Sequence, residues 1–245
     1  GIAGGDGQGG RILVAATAGV GSVAFGDTFL SATGTGGLGS DMGEGLPNSE
    51  GVATGGAGGN GIGGFVQVGA ISGAVTTQAD GEASFGQLSV FATGIGGDGG
   101  RGNDGGFESN GGNGGAGGNG QGGDIALTGY GGQVSAGTTT LTAFGQSGQG
   151  GTGGEAPTGQ PGVDGAVGNA TGGSVGVLVS PRFDIPAQLG AMTLASLIID
   201  ASGSRGTAAS GGTTTAGSFT ISNSAGSSAG GSLTVAGPTQ VTALG

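Results

Sequence analysis

Residues 96–119 read in threes, as GGD, GGR, GND, GGF, ESN, GGN, GGA and GGN. A frame held that long is a structural period of three residues, which neither an α-helix nor a β-strand possesses and polyproline II does. Glycine adopts that left-handed helix without proline. A GGX frame puts every X in one row and leaves two bare faces, on which neighbouring backbones approach closely and exchange N–H···O=C bonds; such a bundle is called polyglycine II. Ordering a residue costs about 1–2 kcal/mol, most of all for glycine, while a backbone hydrogen bond returns about 1 kcal/mol net. A lone excursion of this kind stays loose. It is ordered only against sister excursions or a stiff support.

The remainder of the chain offers that support in the form of repeats. Five segments end in a pattern [T/L]-x-aliphatic-x-A-x-G: TFLSATG to Gly34, LSVFATG to Gly94, TTLTAFG to Gly145, LIIDASG to Gly203 and TQVTALG to Gly245. Each is preceded by a glycine-led alternating run, namely RILV from Arg11, FVQV from Phe65, DIAL from Asp124, SVGV from Ser174 and SFTI from Ser218. Between the two lies a short run that stops at glycine: SVAFG to Gly26, EASFG to Gly86, QVSAG to Gly137, AQLG to Gly190 and SLTVAG to Gly237. Alternation over a few residues broken by glycine is a strand signal, and helix signals are missing even in the apolar stretch 189–199.

The sequence therefore predicts an all-β chain, a parallel β-solenoid of about three short strands per coil in five coils, 11–34, 65–94, 124–145, 174–203 and 218–245. The expected inward rows are Ile12, Val14, Val23, Phe25 and Leu30, then Val66, Val68, Ala83, Phe85 and Val90. They continue with Ile125, Leu127, Val134, Ala136 and Leu141, then Val175, Val177, Ala187, Leu189 and Ile199, and finally Phe219, Ile221, Leu233, Val235 and Val241. The glycine-rich excursions fall at 35–64, 95–123, 146–173 and, shortened, 204–217. All leave at one corner, so they are expected to stack on one side of the solenoid as polyglycine II. With roughly twelve residues each way at about 3.1 Å per residue, an excursion reaches about 37 Å.

Composition narrows the function. Four Arg and no Lys or His stand against 15 carboxylates, a net charge of -11, which argues against nucleic acid as partner. No apolar run approaches a membrane-spanning length, so no membrane insertion is expected. A His-dependent triad is impossible, and the many GxGxxG matches lack the Lys or helix N-terminus of a phosphate loop. The chain reads as no enzyme. Among cofactors only calcium is raised: GGRGNDGGF from Gly99 approximates one nonapeptide calcium-repeat unit, with Asp98, Asp104 and Glu108 as the candidate ligands. The competing reading, which is favoured, is that these acids keep the excursion soluble.

The A-x-G endings and GG-led starts resemble the repeat regions of very large secreted bacterial exoproteins, the filamentous-haemagglutinin-like adhesins and related β-strand-repeat proteins. The GGNGGAGGNG run from Gly111 is similar to the glycine-rich repeats of mycobacterial PE-PGRS surface proteins and to the polyglycine II bundles of insect antifreeze and phage adhesin proteins. The resemblance implies an extracellular or cell-surface location and brings no catalytic residues with it. The expected function is a structural segment of a bacterial filament, stalk or surface adhesin, acting by stiffness, length and self-association, with an unknown surface receptor. The alternative is a glycan- or ice-binding module presenting a flat glycine-rich surface. Residues 1–6 repeat 94–98 with one insertion, and the chain closes on the same landmark at Gly245. The expected partners are therefore other copies or adjacent repeats, joined head to tail.

Overall fold

The structure, a computed structural model, describes residues 1–17, 22–42, 52–71, 81–181, 189–206, 210–223 and 231–245. Among the described residues the fold is all-β, with no helix, and every strand pairing is parallel. Four sheets carry it. Sheet I is built of two-residue strands, Gly7–Gln8, Gly61–Ile62, Gly120–Gln121, Ala170–Thr171 and Thr214–Thr215. Sheet II holds the long first strands, Arg11–Thr17, Phe65–Ile71, Asp124–Tyr130, Ser174–Ser180 and Ser218–Asn223. Sheet III follows it in the chain, and sheet IV is again short, at Gly34–Thr35, Gly94–Ile95, Gly145–Gln146 and Gly203–Ser204. Within each sheet neighbours come from successive repeats, an arrangement compatible with a β-solenoid.

The register aligns like positions across repeats. Ile12, Val66, Ile125, Val175 and Phe219 form one column of sheet II. Leu30, Val90, Leu141, Ile199 and Val241 form one of sheet III. The two inward rows make a single hydrophobic cluster, with Val66, Leu88, Val90, Leu127, Leu141, Leu194, Leu197 and Ile199 fully enclosed. Phe85 is buried in it and stacks on Phe25, which is 38% exposed, with the rings nearly parallel and their centroids 5.0 Å apart. A fully enclosed side chain contributes about 1.5–3 kcal/mol.

The expected inward rows are corrected in the first, fourth and last repeats: Phe25, Phe219 and Ile221 are 38%, 46% and 41% exposed. The second and third strands of a repeat belong to one sheet, sheet III, as Ser22–Phe25 with Thr28–Ser31 and as Glu82–Phe85 with Leu88–Phe91, with a bend between them. In the third and fourth repeats they fuse into Gln133–Thr142 and Ala191–Asp200. The interrupting glycine, Gly137 in the third repeat, shifts the alternation by one place, so that Ala136 and Thr139 are buried while Gly137 and Thr138 between them are not. Leu189, expected inward, is 41% exposed, and Met192 and Leu194 take the inward places in register with Val134 and Ala136. Alternation alone does not fix which of two apolar runs enters the sheet. Ala187 lies outside the described residues.

The two sequence landmarks meet in one contact. The carbonyl of the alanine in each A-x-G ending accepts the N–H of the second glycine that opens the following repeat: Gly64 to Ala32, Gly123 to Ala92, Gly173 to Ala143 and Gly217 to Ala201, all 2.7 Å. These alanines are buried. The glycine is needed because a Cβ on Gly64, Gly123 or Gly173 would strike the carbonyl of the equivalent glycine one repeat earlier. The ends of every excursion are thereby clamped together, which fixes where the glycine-rich segments project.

Candidate interaction surface

Each triplet of an excursion makes backbone bonds in two directions. The first residue donates to the same leg of the next repeat, as in Gly96 to Gln146, Gly99 to Gln149 and Gly102 to Thr152. The second donates to a leg running the other way, as in Gly97 to Gly59, Gly118 to Gly97, Gly148 to Gly118 and Gly168 to Gly148, a zigzag through successive repeats at 2.8–3.2 Å. Outgoing and returning legs thus form two bonded layers. A Cβ on Gly114 would collide with the Gly151 carbonyl, and one on Gly115 with that of Gly56. Glycine at these two places is what allows the layers to approach.

The third residue of each triplet projects outward, and its own N–H lies off both bonding directions. Where the preceding repeat carries Asp or Asn, its side chain accepts that N–H. Asp6 Oδ1 accepts the Asn60 N–H, Asn60 Oδ1 that of Asn119, Asn119 Oδ1 that of Asn169 and Asn169 Oδ1 that of Thr213, at 2.7–2.9 Å. Shorter ladders run from Asp41 to Arg101, Asp98 to Gln149, Asp104 to Glu155 and Asn113 to Val163. The outgoing-leg face carries Asp41, Asp98, Arg101, Asp104 and Glu155. The returning-leg face is largely neutral, with Ala57, Asn60, Asn113, Ala116, Asn119, Ala166 and Asn169.

Where the neutral face meets sheet II the surface folds into an open trough. Two continuous segments, of about 370 and 340 Å³, share Gln121, Gly122 and Asp124 and extend from Gln8 to Ser218. One wall is the column Gln8, Ile62 and Gln121 of sheet I. The other is the column Arg11, Phe65, Asp124, Ser174 and Ser218 that begins sheet II. The Arg11 guanidinium lies over the Phe65 ring, 5.2 Å from its centroid, a cation–π contact that holds both side chains in place.

No known protein family, curated protein or solved structure matches this chain.

The three candidate calcium ligands all lie in the second excursion, and the structure gives each a separate place. Asp98 Oδ1 accepts the Gln149 N–H at 2.7 Å. Asp104 Oδ1 accepts the Glu155 N–H at 2.8 Å and pairs with Arg101 Nη2 at 2.6 Å. Glu108 sits on the turn at the tip with a φ of 70°, and its N–H donates to Thr158 Oγ1. Among the described residues no group of three or more acidic, His or Cys side chains is placed to hold a metal. The ladder role of Asn60, Asn119 and Asn169 is absent from the sequence expectations. Its signal is a constant offset: Asp6, Asn60, Asn119, Asn169 and Thr213 each stand four residues before the clamping glycine or its equivalent, Gly10, Gly64, Gly123, Gly173 and Gly217.

Proposed function

We propose that the chain is a five-coil parallel β-solenoid flanked by stacked polyglycine II excursions, and that it works as a stiff structural segment of an extracellular bacterial filament, stalk or surface adhesin without catalytic activity. The observation that carries this reading is the direction of the bonding. Sheet ladders, zigzag glycine bonds and Asx ladders all link one repeat to the next along a single axis, so extension along that axis resists bending on both the sheet side and the glycine side.

Self-association extends the same logic. Gly64, Gly123 and Gly173 are glycine because the preceding repeat's backbone comes too close for a side chain, yet their equivalent Gly10, like Gly5, has nothing within 4 Å of where a Cβ would stand. A glycine kept there fits a further coil, in cis or from another copy, stacked upon it head to tail. Electron microscopy of the purified chain at rising concentration tests the assembly: rods that lengthen, and that Gly10→Val prevents without changing the far-ultraviolet spectrum, are the expected result. Rods of one fixed length at every concentration count against it.

A second reading, a glycan-binding module, is favoured by the trough beside the neutral face, with planar amides along one wall and a carboxylate and an aromatic ring along the other.

A further inference from the structure

We infer that the trough between the glycine layers and sheet II is a binding groove for a neutral linear polysaccharide, lying along the stacking axis and contacted by Gln8, Ile62, Phe65, Gln121 and Asp124. The inference rests on the second reading above, the glycan-binding module, and does not require that copies assemble. It moves recognition from the flat glycine surface to a defined line of side chains.

The floor sets the ligand class. It consists of the glycine pairs that open each repeat, and their donors are consumed inside the protein: Gly63 N–H bonds Gln121, Gly64 bonds Ala32, Gly122 bonds Thr171 and Gly123 bonds Ala92. An added peptide strand needs a free edge of backbone donors and acceptors, so these groups give it no ladder. Recognition falls to the walls. A polyanion is disfavoured because the trough offers one guanidinium and one carboxylate in a chain of net charge -11. A compact apolar molecule prefers an enclosed pocket lined by hydrophobic side chains, whereas this trough is open and polar.

A neutral sugar chain presents hydroxyls and C–H faces in alternation. Gln8, Gln121 and Asp124 supply planar donors and acceptors for the hydroxyls, while Ile62, 38% exposed, and the Phe65 ring supply apolar surface for the C–H faces. Successive strands stand about 4.8 Å apart, so each repeat offers one set of contacts per step along an extended chain. The walls are preorganised, since Arg11 holds Phe65 and register holds the columns, which lowers the ordering cost of binding.

The experiment is calorimetric titration of the intact chain with the linear hexasaccharides of β-1,4-glucose, α-1,4-glucose and β-1,4-N-acetylglucosamine, with heparin as the anionic comparison. At least one neutral probe is expected to bind with a dissociation constant of about 1 mM or tighter. Affinity is expected to fall about tenfold or more in Gln121→Ala with Asp124→Ala and in Phe65→Ala. The first pair alters exposed side chains only, so it reads binding even where Phe65→Ala disturbs the sheet. Asn113→Ala, on the flat neutral face, is expected to keep full affinity. No binding by any neutral probe, heparin binding as tightly as the sugars, or loss of affinity in Asn113→Ala but not in the trough pair overturns the inference. None of these outcomes touches rod formation, which is read separately by microscopy.

Discussion

The side-chain oxygen of Asn119 accepts the backbone N–H of Asn169 at 2.7 Å, fifty residues further along the chain. The same atom type of Asn60 serves Asn119, and that of Asn169 serves Thr213. Asparagine in this row therefore connects repeats. Asn119→Ala is expected to lower stability by about 0.5–1.5 kcal/mol, the net worth of such a bond, while Asn119→Asp, which keeps the acceptor, is expected to stay near wild type. Urea unfolding of the two variants checks this. Equal loss in both would show that the oxygen is not what matters.

Gly114→Val forces a side chain against the Gly151 carbonyl. Hydrogen exchange is expected to quicken at Gly114 and Gly117, whose N–H groups bond the same leg of the next repeat, and at Gly148 and Gly151, whose N–H groups bond the opposite leg, with little change at Ile125 and Leu127 in sheet II. A chain that fails to fold at all would show the glycine layers to be integral to the β-core.

Within the core, Leu141→Ala empties a fully enclosed position and is expected to cost about 2–5 kcal/mol. Leu13→Ser, at a side chain 57% exposed on the outer face of sheet II, is expected to shift the melting temperature little. Reversal of that order would contradict the assignment of faces.

Glu108 holds a left-handed backbone at the tip of its excursion. That conformation costs a non-glycine residue about 1–2 kcal/mol, part of which the greater freedom of glycine in the unfolded chain offsets. Glu108→Gly is expected to leave stability unchanged or raise it slightly in thermal melts, against a clear loss for Glu108→Val.

Much of the architecture was legible in short motifs. The strand starts at Arg11, Phe65, Asp124, Ser174 and Ser218 coincide with the glycine-led runs, because alternation begins where the clamping glycine ends. Leu189 misled for a physical reason: the fourth repeat has two apolar runs, and only pairing with Gln133–Thr142 decides between them. The Asn ladder escaped because each of its bonds joins residues far apart in the chain, and the trough escaped because its walls belong to different sheets. No single stretch of sequence contains either.

The zigzag of glycine bonds also dictates an order of events. Gly97 reaches back to Gly59 and Gly148 to Gly118, in the preceding excursion, and even within one excursion Gly118 bonds Gly97 and Gly168 bonds Gly148 across the length of both legs. Loop closure must come before such contacts return anything, and chains dominated by distant contacts fold slowly. The alanine-to-glycine clamps shorten that search once the sheets have formed, because they hold both ends of each excursion together. Nascent glycine legs thus wait on the strands, and a chain released with its sheets incomplete carries its longest unpaired backbone in these segments.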